Sequence, residues 1–342
     1  MRSDRTRNDT FMKIAIVKLS ALGDIVHAMV ALQFIKAHFP GIQIDWIVEE
    51  RFAEVLENNS DIEHILTVNL KSLKTNKAGI FQQINNVRKY ALNNYDLVID
   101  AQGLIKSAVI AKLLGKHIAG FDADSIREKA ASWFYDVKLA CAYDTNAIVR
   151  NAFVLSSPLG VNITAEQIQN KKPFLFFNNE DPQIYDFLQK DLKNIVLVIG
   201  SSWDSKNYPA DKFVKIASAL QQNCLVVWGS EQEREKAEWM STQSENILVM
   251  PKLDLNSLKA LIAKADLLIG NDTGPTHMAW ALNRPSITIF GPTPVRMAYQ
   301  TGINKVVESS SIVNPYRLNR QDYSIRDIDE NEIIEKAKTL LH

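Results

Sequence analysis

Lys13-Ile14-Ala15-Ile16-Val17-Lys18-Leu19 runs into Ser20-Ala21-Leu22-Gly23-Asp24 and then into a helical-period segment, Ile25 to His38, closed by Pro40-Gly41. A short β-branched apolar run, a turn with glycine and aspartate, and a helix that stops at proline and glycine together open a βαβ unit. The pattern continues with a strand at 42–48, a short helix from Arg51, a strand at 62–68, a helix over 76–93, a strand at 96–100 and a helix at 104–114. A second series begins near Asn194: strand 195–199, helix 209–222, strand 224–228, a helix from Glu231, strand 247–250, helix 255–265, and strands 267–270 and 286–290. Alternation of this kind predicts an α/β chain with two open parallel sheets in tandem. The expected organisation is an N-terminal domain over 12–160, a polar linker with one helix over 161–193, a second domain over 194–328 and a C-terminal helix over 329–342.

Length and composition agree. The 342 residues suit two domains, and 46% hydrophobic with 23% charged residues describes a globular protein. The 39 basic side chains cancel 39 acidic ones, which argues against a nucleic-acid partner. Cys141 and Cys224 are too few for a disulfide framework or a cysteine-rich zinc site, so the reducing cytosol is the expected home. No apolar run approaches the roughly 18 residues of a membrane span. Residues 1–11 are polar and basic, lack the apolar core of a signal peptide, and read either as a frayed extension or as residues ahead of the native start.

Several familiar signatures are missing. No two of the 13 glycines are separated by a single residue, so there is no G-x-G-x-x-G, and neither a P-loop nor a G-x-S-x-G elbow occurs. Asp122-Ala123-Asp124 spells an acidic pair of the cation-holding type, but a solvated loop capping a helix from Ser125 is the simpler expectation.

In open α/β sheets ligands bind beyond the carboxyl ends of the strands, which directs attention to the loops there. Gly200-Ser201-Ser202-Trp203-Asp204-Ser205-Lys206 offers hydroxyls, backbone donors and a lysine suited to a diphosphate, yet taken alone it favours an ordinary polar turn. Asn271-Asp272-Thr273-Gly274-Pro275-Thr276-His277 places Thr273 or Gly274 at a helix N-cap, where phosphate is stabilised without a metal. Asp272 there would repel phosphate, so it reads as a partner of sugar hydroxyls or as a second cap. The acidic start of the helix after Trp228-Gly229-Ser230 fits a ribose contact, but a dipole-stabilised surface helix explains it as well and is preferred from this loop alone. Asp24 fits a general base acting on an alcohol, although from this loop alone a helix cap is the favoured reading. Lys71, Lys74 and Lys77, then Arg127, Lys129 and Arg150, gather cations in the first half.

Taken together the loops resemble one family. Lys18-Leu19-Ser20-Ala21-Leu22-Gly23-Asp24-Ile25-Val26-His27 is similar to the opening motif of the lipopolysaccharide heptosyltransferases. Asp45 to Glu50, Val98 to Ser107, Trp228-Gly229, Asn271 to His277 and Phe290-Gly291-Pro292-Thr293 come after it in the family's order and resemble its heptosyltransferase I group. Each motif is weak alone, and their shared order from Met12 to about Pro294 is specific.

The resemblance implies a GT-B glycosyltransferase: two Rossmann-like domains facing a central cleft, with the sugar nucleotide on the second and the acceptor on the first. It implies transfer of L-glycero-D-manno-heptose from ADP-heptose to the first Kdo of Kdo–lipid A, with inversion, without a metal or other cofactor, peripherally on the cytoplasmic face of the inner membrane. Asp24 matches the catalytic base. Ser201, Ser202, Lys206, Glu233, Asp272, Thr273, Gly274 and His277 match the donor side. Gly23, Gln102, Arg127 and Arg150, with the lysines at 71, 74 and 77, match the acceptor side. The sequence departs from the family at Trp203, where a basic residue is common, and in the lysine loop, where arginines are. Rival readings are a heptosyltransferase II or other ADP-sugar transferase, a GT-B-like sugar-nucleotide epimerase, and a noncatalytic nucleotide-sugar binder.

Overall fold

A computed structural model describes residues 12–71 and 79–342. The first half runs β1 (Lys13–Val17), α1 (Leu22–His38), β2 (Gln43–Glu49), β3 (His64–Val68), α2 (Gly79–Tyr90), β4 (Leu97–Asp100), α3 (Ile105–Leu114), β5 (Ile118–Phe121), β6 (Val137–Leu139) and α4 (Ala147–Ser156). A connecting stretch holds α5 (Ala165–Gln169). The second half runs β7 (Asn194–Val198), α6 (Ala210–Leu220), β8 (Asn223–Val227), α7 (Glu231–Gln243), β9 (Ile247–Val249), α8 (Leu255–Lys264), β10 (Leu267–Asn271), α9 (Gly274–Ala281), β11 (Ser286–Phe290), β12 (Asn304–Glu308) and α10 (Glu330–Leu341).

Each half builds a six-stranded sheet in which every pairing is parallel, ordered β3-β2-β1-β4-β5-β6 and β12-β11-β10-β7-β8-β9. Both are the doubly wound Rossmann order, which reverses between β1 and β4 in one sheet and between β7 and β10 in the other. This is the two-sheet GT-B architecture. The loops after these four strands line the two crevices where such sheets bind ligands.

The buried side chains explain the arrangement. β1, β4, β7 and β10 are apolar along nearly their whole length because helices cover both faces of each sheet. α1 is buried almost all round, from Ile25 to Leu32, since it lies against α4 on one side and α9 of the second half on another. Residues of both halves therefore share one apolar cluster, reaching from Ile14 and Met29 to Val196 and Leu261. A second cluster fills the far side of the second sheet, under α6 and α10.

Four elements were not legible in the sequence: β5, β6, β12 and α4. The strands are short or at a sheet edge, and α4 buries Arg150 and Asn151 on faces that read as polar. The helix expected from Ser125 is absent. Asp122 instead accepts the Ser125 backbone N–H at 2.9 Å, Asp124 pairs with Lys129 at 3.0 Å, and a 3-10 helix covers Lys129–Phe134.

Candidate active site

A cleft of about 440 Å³ opens between the two sheets, lined by Asp24 and Gln102 from one half and by Lys206, Asp272 and Thr293 from the other. Beside it lies a smaller cavity of about 230 Å³ with Gly200, Ser201, Trp228, Glu233 and Thr273 at its rim and Val198, Val227, Leu255 and Leu258 in its wall.

The first half's contribution rests on a buried scaffold. Asp100, at the end of β4, accepts hydrogen bonds from the backbone of Gln102 and Gly103 and from the hydroxyls of Ser107 and Tyr135. Burial pushes its pKa up, and those bonds oppose the rise. Lys18 donates to the Ala101 carbonyl at 2.8 Å. The Gln102 Oε1 accepts the N–H groups of Leu19 and Ser20, tying the loop after β4 to the loop after β1. Asp24 then sits in the first turn of α1, accepting the Ala21 N–H at 3.2 Å and bordering the cleft.

In the second half Asp272 is the hub. One carboxylate oxygen lies 2.8 Å from Lys206 Nζ and accepts the Thr293 hydroxyl at 2.7 Å, and the other lies 3.0 Å from His277 Nε2. Burial alone would raise its pKa; Lys206 and His277 overcome that and hold the carboxyl well below the usual carboxylate range. Because the folded state binds the proton less tightly than the unfolded chain, the resulting stability is fully present above the unfolded pKa and is lost progressively as the pH falls from there through the folded value. Asn271 fixes the neighbouring loop, accepting the Tyr208 N–H and donating to the Ile199 carbonyl.

Several residues singled out from the sequence have other placements. Asp272 lines the cleft with both oxygens already in contact with protein partners, Lys206 and Thr293 on one and His277 on the other. His277 lies buried behind Asp272, its ring edge-on to His27 at 4.4 Å. Arg150 borders the cleft, yet its guanidinium donates to the carbonyls of Cys141, Ala142 and Ser125, which makes it a clamp on that loop. The hydroxyl of Ser201 lies 2.8 Å from both the Trp203 carbonyl and Asn207 Oδ1, while Ser202 is exposed and borders neither cavity. Lys71 is exposed, its backbone N–H donating to Glu49, and it too lines neither cavity; Lys74 and Lys77 lie outside the described residues. Arg127 lines the cleft and is exposed. Glu233 borders the smaller cavity and accepts the Gly229 N–H at 2.7 Å.

Some lining residues carried no assignment from sequence. Arg320 places its guanidinium 4.7 Å over the Trp203 ring and also lines the cleft, so a cation stands beside Trp203. With Lys18, Arg127, Arg150, Lys206 and Arg296 it makes six cationic side chains along a cleft that holds two carboxylates, Asp24 and Asp272, in a chain of zero net charge. Of these, Lys18 and Arg150 are bound to backbone carbonyls. No local motif marks Arg296 or Arg320. Among the described residues, no group of three or more His, Cys, Asp or Glu side chains is arranged to hold a metal ion.

The two halves meet where α1 and α9 begin. A Cβ on Gly23 would stand 2.9 Å from His277 Cδ2, and one on Gly274 would stand 2.6 Å from Leu22 Cγ. Glycine at both positions lets the two helix starts abut, which holds Asp24 in register with Asp272 and Lys206. Gly23→Ala is expected to cost about 1–3 kcal/mol of stability, since His277 cannot retreat without leaving Asp272. Thermal unfolding measures this, and an unchanged midpoint would show that the seam is loose.

Comparison with known proteins adds the family. Residues 85–321 match the model of glycosyltransferase family 9 (heptosyltransferase). Lipopolysaccharide heptosyltransferase 1 of Campylobacter coli is 37% identical over 96% of this chain and 99% of its own length. The enzyme of the same name from Escherichia coli K12 is 30% identical over 91% of this chain and 97% of its own. The solved structure of E. coli heptosyltransferase WaaC with ADP-2-deoxy-2-fluoro heptose superposes with a TM-score of 0.75 at 26% identity, covering 95% of this chain and all of that one. A cationic cleft at paired switch points and a match over most of the chain lead to one conclusion: the protein belongs to glycosyltransferase family 9, the heptosyltransferases.

Proposed function

We propose that the chain transfers L-glycero-D-manno-heptose from ADP-heptose to the first Kdo of Kdo–lipid A, with inversion and without a metal, while resting peripherally on the cytoplasmic face of the inner membrane. The observation that carries the reading is that Asp24 and the Lys206–Asp272 pair line one cleft from opposite halves. Similarity to relatives named lipopolysaccharide heptosyltransferase 1, over nearly the whole chain, supports the choice of sugar and acceptor.

The donor spans the two cavities. Adenine lies against the apolar wall of the smaller one, with Glu233 at the ribose hydroxyls, and the diphosphate reaches Lys206 and the N-terminal end of α9. The acceptor hydroxyl approaches the anomeric carbon from the side of Asp24. The carboxylate takes the hydroxyl proton as the new C–O bond forms, and the bond to the β-phosphate oxygen breaks on the opposite face. Negative charge gathering on departing ADP is stabilised by Lys206 and the α9 amides, with Asp272 holding the lysine in place. Exclusion of water from the closed cleft limits donor hydrolysis.

Mass analysis after offering ADP-heptose and Kdo–lipid A tests the reading: one added heptose is expected, and an unmodified acceptor alongside intact donor binding would refute it. Because protein cations supply the positive charge, transfer in excess EDTA is expected to match transfer with added magnesium. A large loss of rate in EDTA, restored by magnesium, would count against the lysine-based mechanism.

A further inference from the structure

On the outer side of the first sheet, α2 and α3 lie side by side, and α3 lies against the 3-10 helix at Lys129–Phe134. These elements leave large apolar side chains in solvent. In the first turn of α2, Ile80 is 45% and Phe81 73% exposed; on α3, Ile105 is 45% and Val109 41% exposed; beyond them Trp133 is 80% exposed. Cations are interleaved with them. The three segments, GIFQQINNVRKY, IKSAVIAKLL and KAASWF, carry five lysines and arginines and no carboxylate of their own. Lys129 is paired with Asp124, the adjoining Glu128 accepts the Ile105 N–H, and Arg88, Lys89, Lys106 and Lys112 make the face positive. By contrast, exposed α7 in the second half carries Glu231, Glu233, Glu235 and Glu238. The asymmetry is local, because the whole chain is neutral.

Position matters as much as composition. Helices of a parallel sheet run against the strands, so the first turns of α2 and α3 lie at the carboxyl edge, where the cleft opens. Leu104 lines the cleft, the next two residues, Ile105 and Lys106, face solvent, and Arg127, two residues before Lys129, lines the cleft and is exposed.

We propose that this face docks the enzyme on an anionic lipid bilayer, with Phe81, Ile105 and Trp133 entering the headgroup region and Lys106 and Lys112 facing lipid phosphates. The proposal rests on the acceptor being a lipid-anchored sugar, and it explains how such an acceptor reaches Asp24 with its acyl chains still in the membrane. A second copy of the chain fits the face poorly, since an isologous contact would bring one positive face against an identical positive face. Apolar side chains that enter the interface and cations that meet anionic headgroups are the two signals stable attachment needs. Among the described residues, no helix is long and apolar enough to cross a membrane.

Sedimentation with phosphatidylcholine vesicles, with and without phosphatidylglycerol, tests the surface using full-length protein. The protein is expected to sediment with the anionic vesicles, weakly with the neutral ones, and less as salt rises. Phe81→Ser with Trp133→Ser, and separately Lys106→Glu with Lys112→Glu, should each weaken anionic-vesicle binding more than about tenfold. All four positions are exposed, so folding is not at risk. Transfer to Kdo–lipid A held in vesicles should fall in parallel, while transfer to its deacylated, water-soluble form stays unchanged. Wild-type protein that ignores anionic vesicles, or variants that bind them as wild type does, would overturn the surface. Vesicle binding lost in the variants, with no transfer by the wild type to either acceptor, would uphold the surface and refute the acceptor instead.

Discussion

Asp24→Ala is expected to bind ADP-heptose as the wild type does and to transfer heptose roughly 10²–10⁴-fold more slowly, the usual contribution of a positioned general base. The side chain lines the cleft, and the donor contacts proposed above all belong to the second half, so its loss is expected to leave the nucleotide site intact. Alanine also removes the hydrogen bond to the Ala21 N–H, and a helix cap is worth about 0.5–2 kcal/mol. Asp24→Asn separates the two roles. Asparagine keeps an oxygen for the Ala21 N–H but cannot take a proton from the acceptor. If Asp24 is the base, the asparagine variant unfolds at nearly the wild-type temperature and is almost as slow as the alanine one. If Asp24 is only a cap, asparagine restores turnover, and the mechanism lacks its base.

How much of the fold and the site is legible in the sequence depends on where each kind of information resides. The loops after β1, β4, β7 and β10 were legible, because a buried parallel strand announces itself as an unbroken apolar run and the switch-point rule then selects the loop at its carboxyl end. The partners of the side chains in those loops were not. Nothing near Asp272 in sequence reveals that Lys206 and Thr293 occupy one of its oxygens, or that His277 closes off the other. Arg150 read as a cation available to an anionic acceptor, but a buried guanidinium must satisfy its donors, and three backbone carbonyls do so. The departure at Trp203 was visible as a lost charge, whereas the placing of Arg320 beside it depends on a contact between distant segments. Short strands fail for a related reason: β6 spans three residues at a sheet edge and is half-exposed, so its pairing with β5 rather than its own pattern makes it a strand.

Lys206 carries the second large effect, and its ion pair with Asp272 complicates the obvious experiment. Lys206→Met should weaken ADP binding and slow transfer by about 10²–10³-fold, comparable to removing a preorganised charge stabiliser elsewhere. It also leaves the buried Asp272 carboxylate short of its cation, a change that costs about 3–5 kcal/mol when one member of a buried pair is removed. A fall in activity could then report a damaged fold. Lys206→Met combined with Asp272→Asn removes both charges, and the amide can still meet Thr293 and His277. The double variant should recover most of the lost thermal stability while ADP binding and transfer stay impaired, because the diphosphate still lacks its cation. Were the double variant to regain ADP affinity along with its unfolding temperature, Lys206 would serve only to neutralise Asp272. Stabilisation of the leaving group would then fall to the α9 amides and to Arg320, the cation held over Trp203 at the same cleft wall.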